Sequence, residues 1–165
     1  MNKKKIINDP VYGFITIPSE LIYDIINDPM FQRLRRIKQL GLTEYIYPGA
    51  HHTRFHHALG AMHLMGEALN TLRQKGHHIW DLEYEAACVA ILLHDIGHGP
   101  FSHALEHTML KDVPHEKVSL TIMELLNEKF DGRLRLAIDM FCHTYHRPFF
   151  SQLISSQLDL SLIHI

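Results

Sequence analysis

The segment Leu92-Leu93-His94-Asp95-Ile96-Gly97-His98-Gly99-Pro100-Phe101-Ser102-His103 carries the most chemical potential in the chain. It sets a His-Asp dipeptide at the end of an apolar stretch and follows it with two further imidazoles. A charged carboxylate buried beside an imidazole is costly unless a cation compensates it. A divalent metal does this, taking an imidazole nitrogen and a carboxylate oxygen together. Adjacent side chains on a helix point about 100° apart, so they converge on one ion only at a helix end or a distortion. Gly97 and Gly99 supply that freedom. For an isolated pair the plain alternative is a hydrogen-bonded core histidine beside a helix-end aspartate. The pair is not isolated, because Thr53-Arg54-Phe55-His56-His57-Ala58-Leu59-Gly60 offers a second source of imidazole, with His56 and His57 both candidates.

The elements that must position these groups read as helical almost throughout. Tyr12 to Ile17 reads as a short extended piece, and Ser19 as the cap of a helix to about Asn27. Asp28-Pro29 restarts the chain with a capping residue and a proline at the first helical position. That second helix puts Phe31, Leu34 and Ile37 on one face and is expected to stop at Gly41. Leu42 to Ala50 suits an irregular or extended connection. Thr53 then caps a long helix to about Lys75, with Phe55, Leu59, Met62, Met65, Leu69 and Leu72 as its apolar stripe. Asp81 opens the next, with Glu83 and Glu85 in its first turn, where the helix dipole favours acids. From Ala86 to Leu93 this helix is apolar nearly all round, which predicts the buried centre of the fold. Further helices are expected over 101–110, 114–130, 132–142 and 149–158. The fold class is all-α, in one domain.

Composition narrows the function classes. The chain has 165 residues, 46% hydrophobic and 21% charged, which excludes a disordered or collagen-like chain. Histidine is the outlier at 15 residues, raising the expectation of metal or proton chemistry. Partial protonation of those imidazoles at pH 7 brings the formal charge of −2 close to neutral. No basic field argues for nucleic acid. The Lys3-Lys4-Lys5 start is followed by only Ile6 and Ile7 before Asn8-Asp9-Pro10, too little for a signal peptide. The longest apolar run falls well short of the roughly 20 residues of a membrane span. Cys88 and Cys142 form no C-x-x-C pair and read as buried free thiols in a reducing cytoplasm.

Taken together, Arg-Phe-x-His-Ala-Leu-Gly at 54–60 and His-Asp-x-Gly-His-Gly-Pro-Phe-Ser-His at 94–103 resemble the HD-domain phosphohydrolase superfamily. Within it the chain is similar to the deoxynucleoside triphosphate triphosphohydrolase branch, which includes enzymes joining SAM and HD domains. The resemblance runs from Ile7-Asn8-Asp9-Pro10 through Phe31-Gln32-Arg33-Leu34-Arg35, Ile37-Lys38-Gln39-Leu40-Gly41 and Tyr47-Pro48-Gly49-Ala50, and past His115-Glu116 to about Asp159. It implies a helical bundle with a divalent metal (Mn, Mg, Fe or Zn) between central helices, held by His57, His94 and Asp95. His56 is the rival of His57, and alignment through Leu59-Gly60 favours His57. By the same resemblance, Arg54, His98 and His103 contact substrate phosphates, and Gln39 and Leu40 line the sugar. His115, with Glu116 beside it, matches the family's proton-handling histidine, and His103 is a second candidate for that work. The implied reaction is hydrolysis of a dNTP at the α-phosphorus to deoxynucleoside and triphosphate. An effector nucleotide near Gln32 and Arg35, and a homo-oligomer, are further implications. No membrane partner is expected.

The chemistry suits these residue types. Phosphate-ester hydrolysis needs an activated water, cationic donors around the phosphates, and a group titrating near neutrality for the leaving oxygen. The chain has no G-x-x-x-x-G-K-[ST], H-E-x-x-H or G-x-S-x-G, which excludes Walker-type, zincin and serine-hydrolase readings.

The match ends at Asp159, and the position of the family's fourth metal ligand falls on Ser161. Residues 1–159 are therefore expected to form the HD domain, and 160–165 a foreign tail on a truncated gene. The alternatives are an HD phosphodiesterase of another nucleotide, cyclic or alarmone, or an inactive fragment that binds nucleotide. His51-His52 and His77-His78 read as surface histidines and His63 as polar-face. Arg33, Arg35, Arg36 and Lys38 read as a solvated basic helix face.

Overall fold

The computed structural model describes residues 5–100 and 114–155. It opens on a hairpin of β1 (Ile6–Asp9) and β2 (Gly13–Thr16), antiparallel with Ile7 opposite Ile15 and Asn8 opposite Phe14. The Asp9 carboxylate accepts the Val11 and Tyr12 amides at 2.9 and 3.0 Å, and Gly13 takes φ +69° to close the turn. Only β2 was legible as extended chain. Ile15 carries the hairpin into the core, fully buried.

Helix α1 (Glu20–Asn27) starts where the Ser19 hydroxyl accepts the Ile22 amide. Asp28 ends it and caps α2 (Pro29–Gln32) through the Met30 amide. The expected second helix does not reach Gly41. It tightens into a 3-10 turn over Arg33–Arg36, and Ile37 is already extended at φ −111°, ψ 113°. The backbone leaves the helix there because the segment leading into the next one captures it. The Ile37 carbonyl accepts the Arg54 amide at 2.8 Å, the Gln39 amide reaches the His52 carbonyl at 3.1 Å, and Lys38 bridges to Thr53. A second 3-10 turn covers Gly41–Tyr45. Phe31, Leu34 and Ile37 are nonetheless all buried, as their spacing predicts.

Helix α3 (Arg54–Gln74) begins at a capping box in which His56 Nδ1 accepts the Thr53 amide and the Thr53 side chain accepts the His56 amide. Helix α4 (Asp81–Leu93) has every residue from Ala86 to Leu93 buried and is the centre of the bundle. It packs against α3 on one side, with Gly66 of α3 leaving room for the Tyr84 hydroxyl. On its other side lie α6 (Arg135–Phe141) and α7 (Pro148–Ser155), with α5 (His115–Lys129) leading into α6. Helix α6 starts later than Gly132 because Asp131 and Gly132 both take positive φ in the turn before it. The all-α class holds, with the hairpin as an addition. The expected helix over 101–110 and the residues Asp159 and Ser161 lie outside the described residues.

Glu83 lies in the first turn of α4, as expected, and is buried there. It is 4% exposed and receives the Tyr145 hydroxyl at 2.6 Å and Arg147 Nη1 at 2.6 and 2.8 Å, while Arg147 Nη2 donates to the His78 carbonyl. Burial alone raises its pKa, but the hydrogen bonds from Tyr145, Trp80 and Arg147 outweigh that and hold the carboxyl below its usual range. Cys88 is buried in α4 and Cys142 half-buried after α6; both are free thiols. Burial pushes the Cys88 thiol up to about 12 and raises that of Cys142. Among the described residues, no helix is long and apolar enough to cross a membrane.

Candidate metal centre

The end of α4 and the start of α3 meet where the motifs predict. His57 lies one turn into α3, 3% exposed, and His94 and Asp95 follow the last residue of α4. Their ligand atoms all fall within 4.8 Å of one another, and no other such trio occurs among the described residues. His57 Nε2 stands 3.7 Å from Asp95 Oδ2, and His94 Nε2 stands 3.4 Å from Asp95 Oδ1. Donor atoms about 2.1 Å from one ion lie about 3.0–3.4 Å apart at octahedral and tetrahedral angles, so these spacings need little closing.

The tautomer of His94 also fits a metal. Its Nδ1 lies 2.6 Å from the Ile91 carbonyl oxygen, which can only accept, so the proton sits on Nδ1. That leaves the Nε2 lone pair facing the trio, as metal-bound histidines require. His56, by contrast, spends Nδ1 on the Thr53 cap and is not in the trio.

A cationic surround holds Asp95 charged. Arg54 Nη1 donates to Asp95 Oδ2 at 2.7 Å, and His98 Nε2 lies 3.4 Å from Oδ1. Burial alone raises the Asp95 pKa, but its polar neighbours, the His98 ring and Arg54 among them, outweigh it and keep the carboxyl far below the usual carboxylate range. Burial pushes the His98 pKa down, against the pull of Asp95. The His98 ring stacks on that of His115 with centroids 4.0 Å apart and planes at 21°. His115, the first residue of α5, has Nε2 3.3 Å from Glu116 Oε1. Asp95, His98, His115 and Glu116 thus form one chain of titratable groups leading away from the trio.

Gln39 and Leu40 sit on the loop paired to the entry of α3. The Gln39 side-chain oxygen is buried with no hydrogen-bond donor among the described residues, and Leu40 is 39% exposed. His103 lies outside the described residues. Beside His57, a cavity of about 400 Å³ opens between the Asp9–Val11 turn, Gly49, His51, His52 and His56.

Two groups were not legible as part of this site. Ser119 on α5 accepts the Gly97 amide and donates to the His94 carbonyl, both at 2.9 Å. Arg33 is not on a solvated basic face. Its guanidinium turns inward to the carbonyls of Ile96 and His98. Arg35 lies over the Phe55 ring. No sequence motif marks a serine or an arginine for contacts so distant along the chain.

The geometry agrees with comparison to known proteins. The HD-domain model matches residues 54–155, and the chain belongs to the HD-domain phosphohydrolase family. A solved phosphohydrolase from Bacteroides thetaiotaomicron superposes with a TM-score of 0.94 at 55% identity, over 98% of this chain and 40% of that one. The uncharacterized protein YwfO of Bacillus subtilis (strain 168) is 36% identical over 96% of this chain and 38% of its own length. The human deoxynucleoside triphosphate triphosphohydrolase SAMHD1 is 47% identical over 62% of this chain and 16% of its own length. The chain therefore spans well under half the length of these relatives.

Proposed function

We propose that the protein is a metal-dependent hydrolase of deoxynucleoside triphosphates that releases deoxynucleoside and intact triphosphate. The observation that carries this reading is the convergence of His57, His94 and Asp95 within 4.8 Å, beside the buried Arg54 and the His98–His115 stack. A bound divalent ion supplies a water of lowered pKa and neutralises charge on phosphoryl oxygens. The donor set of two imidazoles and a carboxylate suits a first-row divalent ion such as Mn²⁺, Fe²⁺ or Zn²⁺.

In this reading Arg54 keeps Asp95 ionised and oriented, and adds positive charge next to the phosphates. His98 and His103 contact phosphate oxygens. His115 delivers the proton to the leaving oxygen, with Glu116 steadying its ring. Gln39 and Leu40, on the loop beside the entry of α3, line the sugar. The 47% identity to human SAMHD1, a deoxynucleoside triphosphate triphosphohydrolase, supports the substrate class.

The test is incubation of the chain with each dNTP and Mn²⁺ or Mg²⁺, followed by chromatography. Deoxynucleoside and triphosphate are the expected products. Monophosphate with pyrophosphate, or hydrolysis only of a cyclic nucleotide or alarmone, overturns the assignment.

A further inference from the structure

We propose that Arg33 is a positioning residue of the metal centre: its guanidinium locks, from one side, the turn that carries His94, Asp95 and His98, while Ser119 locks it from the other. This rests on the metal reading above and concerns how the ligands are held.

The argument is an accounting of backbone groups. The last four carbonyls of a helix have no partner within it, and a turn that must hold two ligands cannot leave such groups to fluctuate. Here nearly every carbonyl around the turn has an assigned donor. Ile91 O takes the His94 ring, Leu93 O the Ile96 amide, and Asp95 O the His98 amide. His94 O takes the Ser119 hydroxyl. Of the others, Ile96 O and His98 O are both taken by Arg33, through Nη2 and Nη1 respectively, the latter at 2.9 Å.

A planar fork of donors suits this. The two carbonyls are two residues apart, so holding both from one side chain fixes their relative orientation, and with it the path of the turn between Asp95 and His98. The positive charge also faces the negative end of α4. Arg33 reaches the turn from the 3-10 segment Arg33–Arg36, more than 60 residues away along the chain. On the opposite side Gly97 presses so close to α5 that a Cβ there would overlap the His115 carbonyl and the Ser119 amide. The turn is therefore clamped between two elements, and Arg33 is the charged half of the clamp.

The experiment is a Mn²⁺ titration by calorimetry of the wild-type chain and the variants Arg33→Ala, Arg33→Lys and His94→Ala, with the Mn²⁺ dependence of dNTP hydrolysis measured in parallel. Outer-sphere partners of metal ligands typically carry 10–100-fold in affinity, so Arg33→Ala is expected to weaken Mn²⁺ binding about tenfold or more. Arg33→Lys, which keeps the charge and loses the fork, is expected to fall between. The Mn²⁺ concentration for half-maximal activity should rise in step. A residue that merely supports the fold leaves Mn²⁺ affinity unchanged, and that result overturns the proposal. If Arg33→Ala loses its helical circular dichroism, Arg33→Lys is judged by the same criterion. Wild type that binds no Mn²⁺ refutes the metal reading itself. Binding lost in His94→Ala but unchanged in the Arg33 variants refutes only the role of Arg33.

Discussion

Arg54 Nη1 donates to Asp95 Oδ2 at 2.7 Å, so the carboxylate of the His-Asp pair is tied to a buried cation before any metal arrives. Removing one member of a buried ion pair strands the other. Arg54→Met is expected to cost about 3 kcal/mol of unfolding free energy in EDTA. The cost should shrink in saturating Mn²⁺, because an ion bound to the native state supplies the missing charge. Urea unfolding with and without Mn²⁺ checks this; equal costs in both would separate Arg54 from the metal centre.

The neighbouring imidazoles of α3 have opposite jobs. His57→Ala is expected to abolish measurable Mn²⁺ binding and dNTP hydrolysis. His56→Ala should cost about 1 kcal/mol, the usual value of a lost cap, and leave Mn²⁺ affinity unchanged. Parallel calorimetry and thermal melts distinguish the two, and Mn²⁺ binding lost only in the His56 variant would reverse the assignment.

Gly97→Ala places a methyl group against the backbone of α5, at the His115 carbonyl and the Ser119 amide. Neither atom is the end of a flexible side chain, so α5 must shift. Destabilisation of about 1–3 kcal/mol is expected, with weaker Mn²⁺ binding as the turn moves. A melting temperature and affinity equal to wild type would mean the contact is looser than described.

Glu83 makes stability depend on acid. Its folded pKa lies below its unfolded value of about 4.3, so its stabilisation is complete above that value and is lost as pH falls through the folded pKa. Glu83→Gln is expected to destabilise the chain at pH 7, where Arg147 loses its carboxylate partner. The gap between wild type and variant should narrow below about pH 4.3. Urea midpoints across pH 3–7 measure it, and a constant gap would contradict the sign.

Local signals made much of this legible. Ser19, Asp28 and Thr53 cap helices as side chains of their type do, and the all-round apolar run from Ala86 to Leu93 is the buried centre. His57, His94 and Asp95 come together from two short motifs, and the cap at Thr53 explains why His56 stands outside that trio. What was hidden depends on contacts distant in sequence. The helix expected to reach Gly41 gives way at Ile37 to pairing with the segment before α3. Glu83 is a first-turn acid whose partners Tyr145 and Arg147 arrive from more than 60 residues away. Arg33 and Ser119 are ordinary residues of exposed-looking helices until the turn after α4 is folded between them.

The buried thiol of Cys88 bears on which cation the chain collects. Burial strongly disfavours the thiolate there. The Cys142 thiol is raised as well. Sulfur therefore offers almost no competition to imidazole and carboxylate. Soft ions such as Cu⁺, which seek thiolate, find little to hold them, so selectivity falls to nitrogen and oxygen donors and to whichever borderline or hard ion the cell supplies.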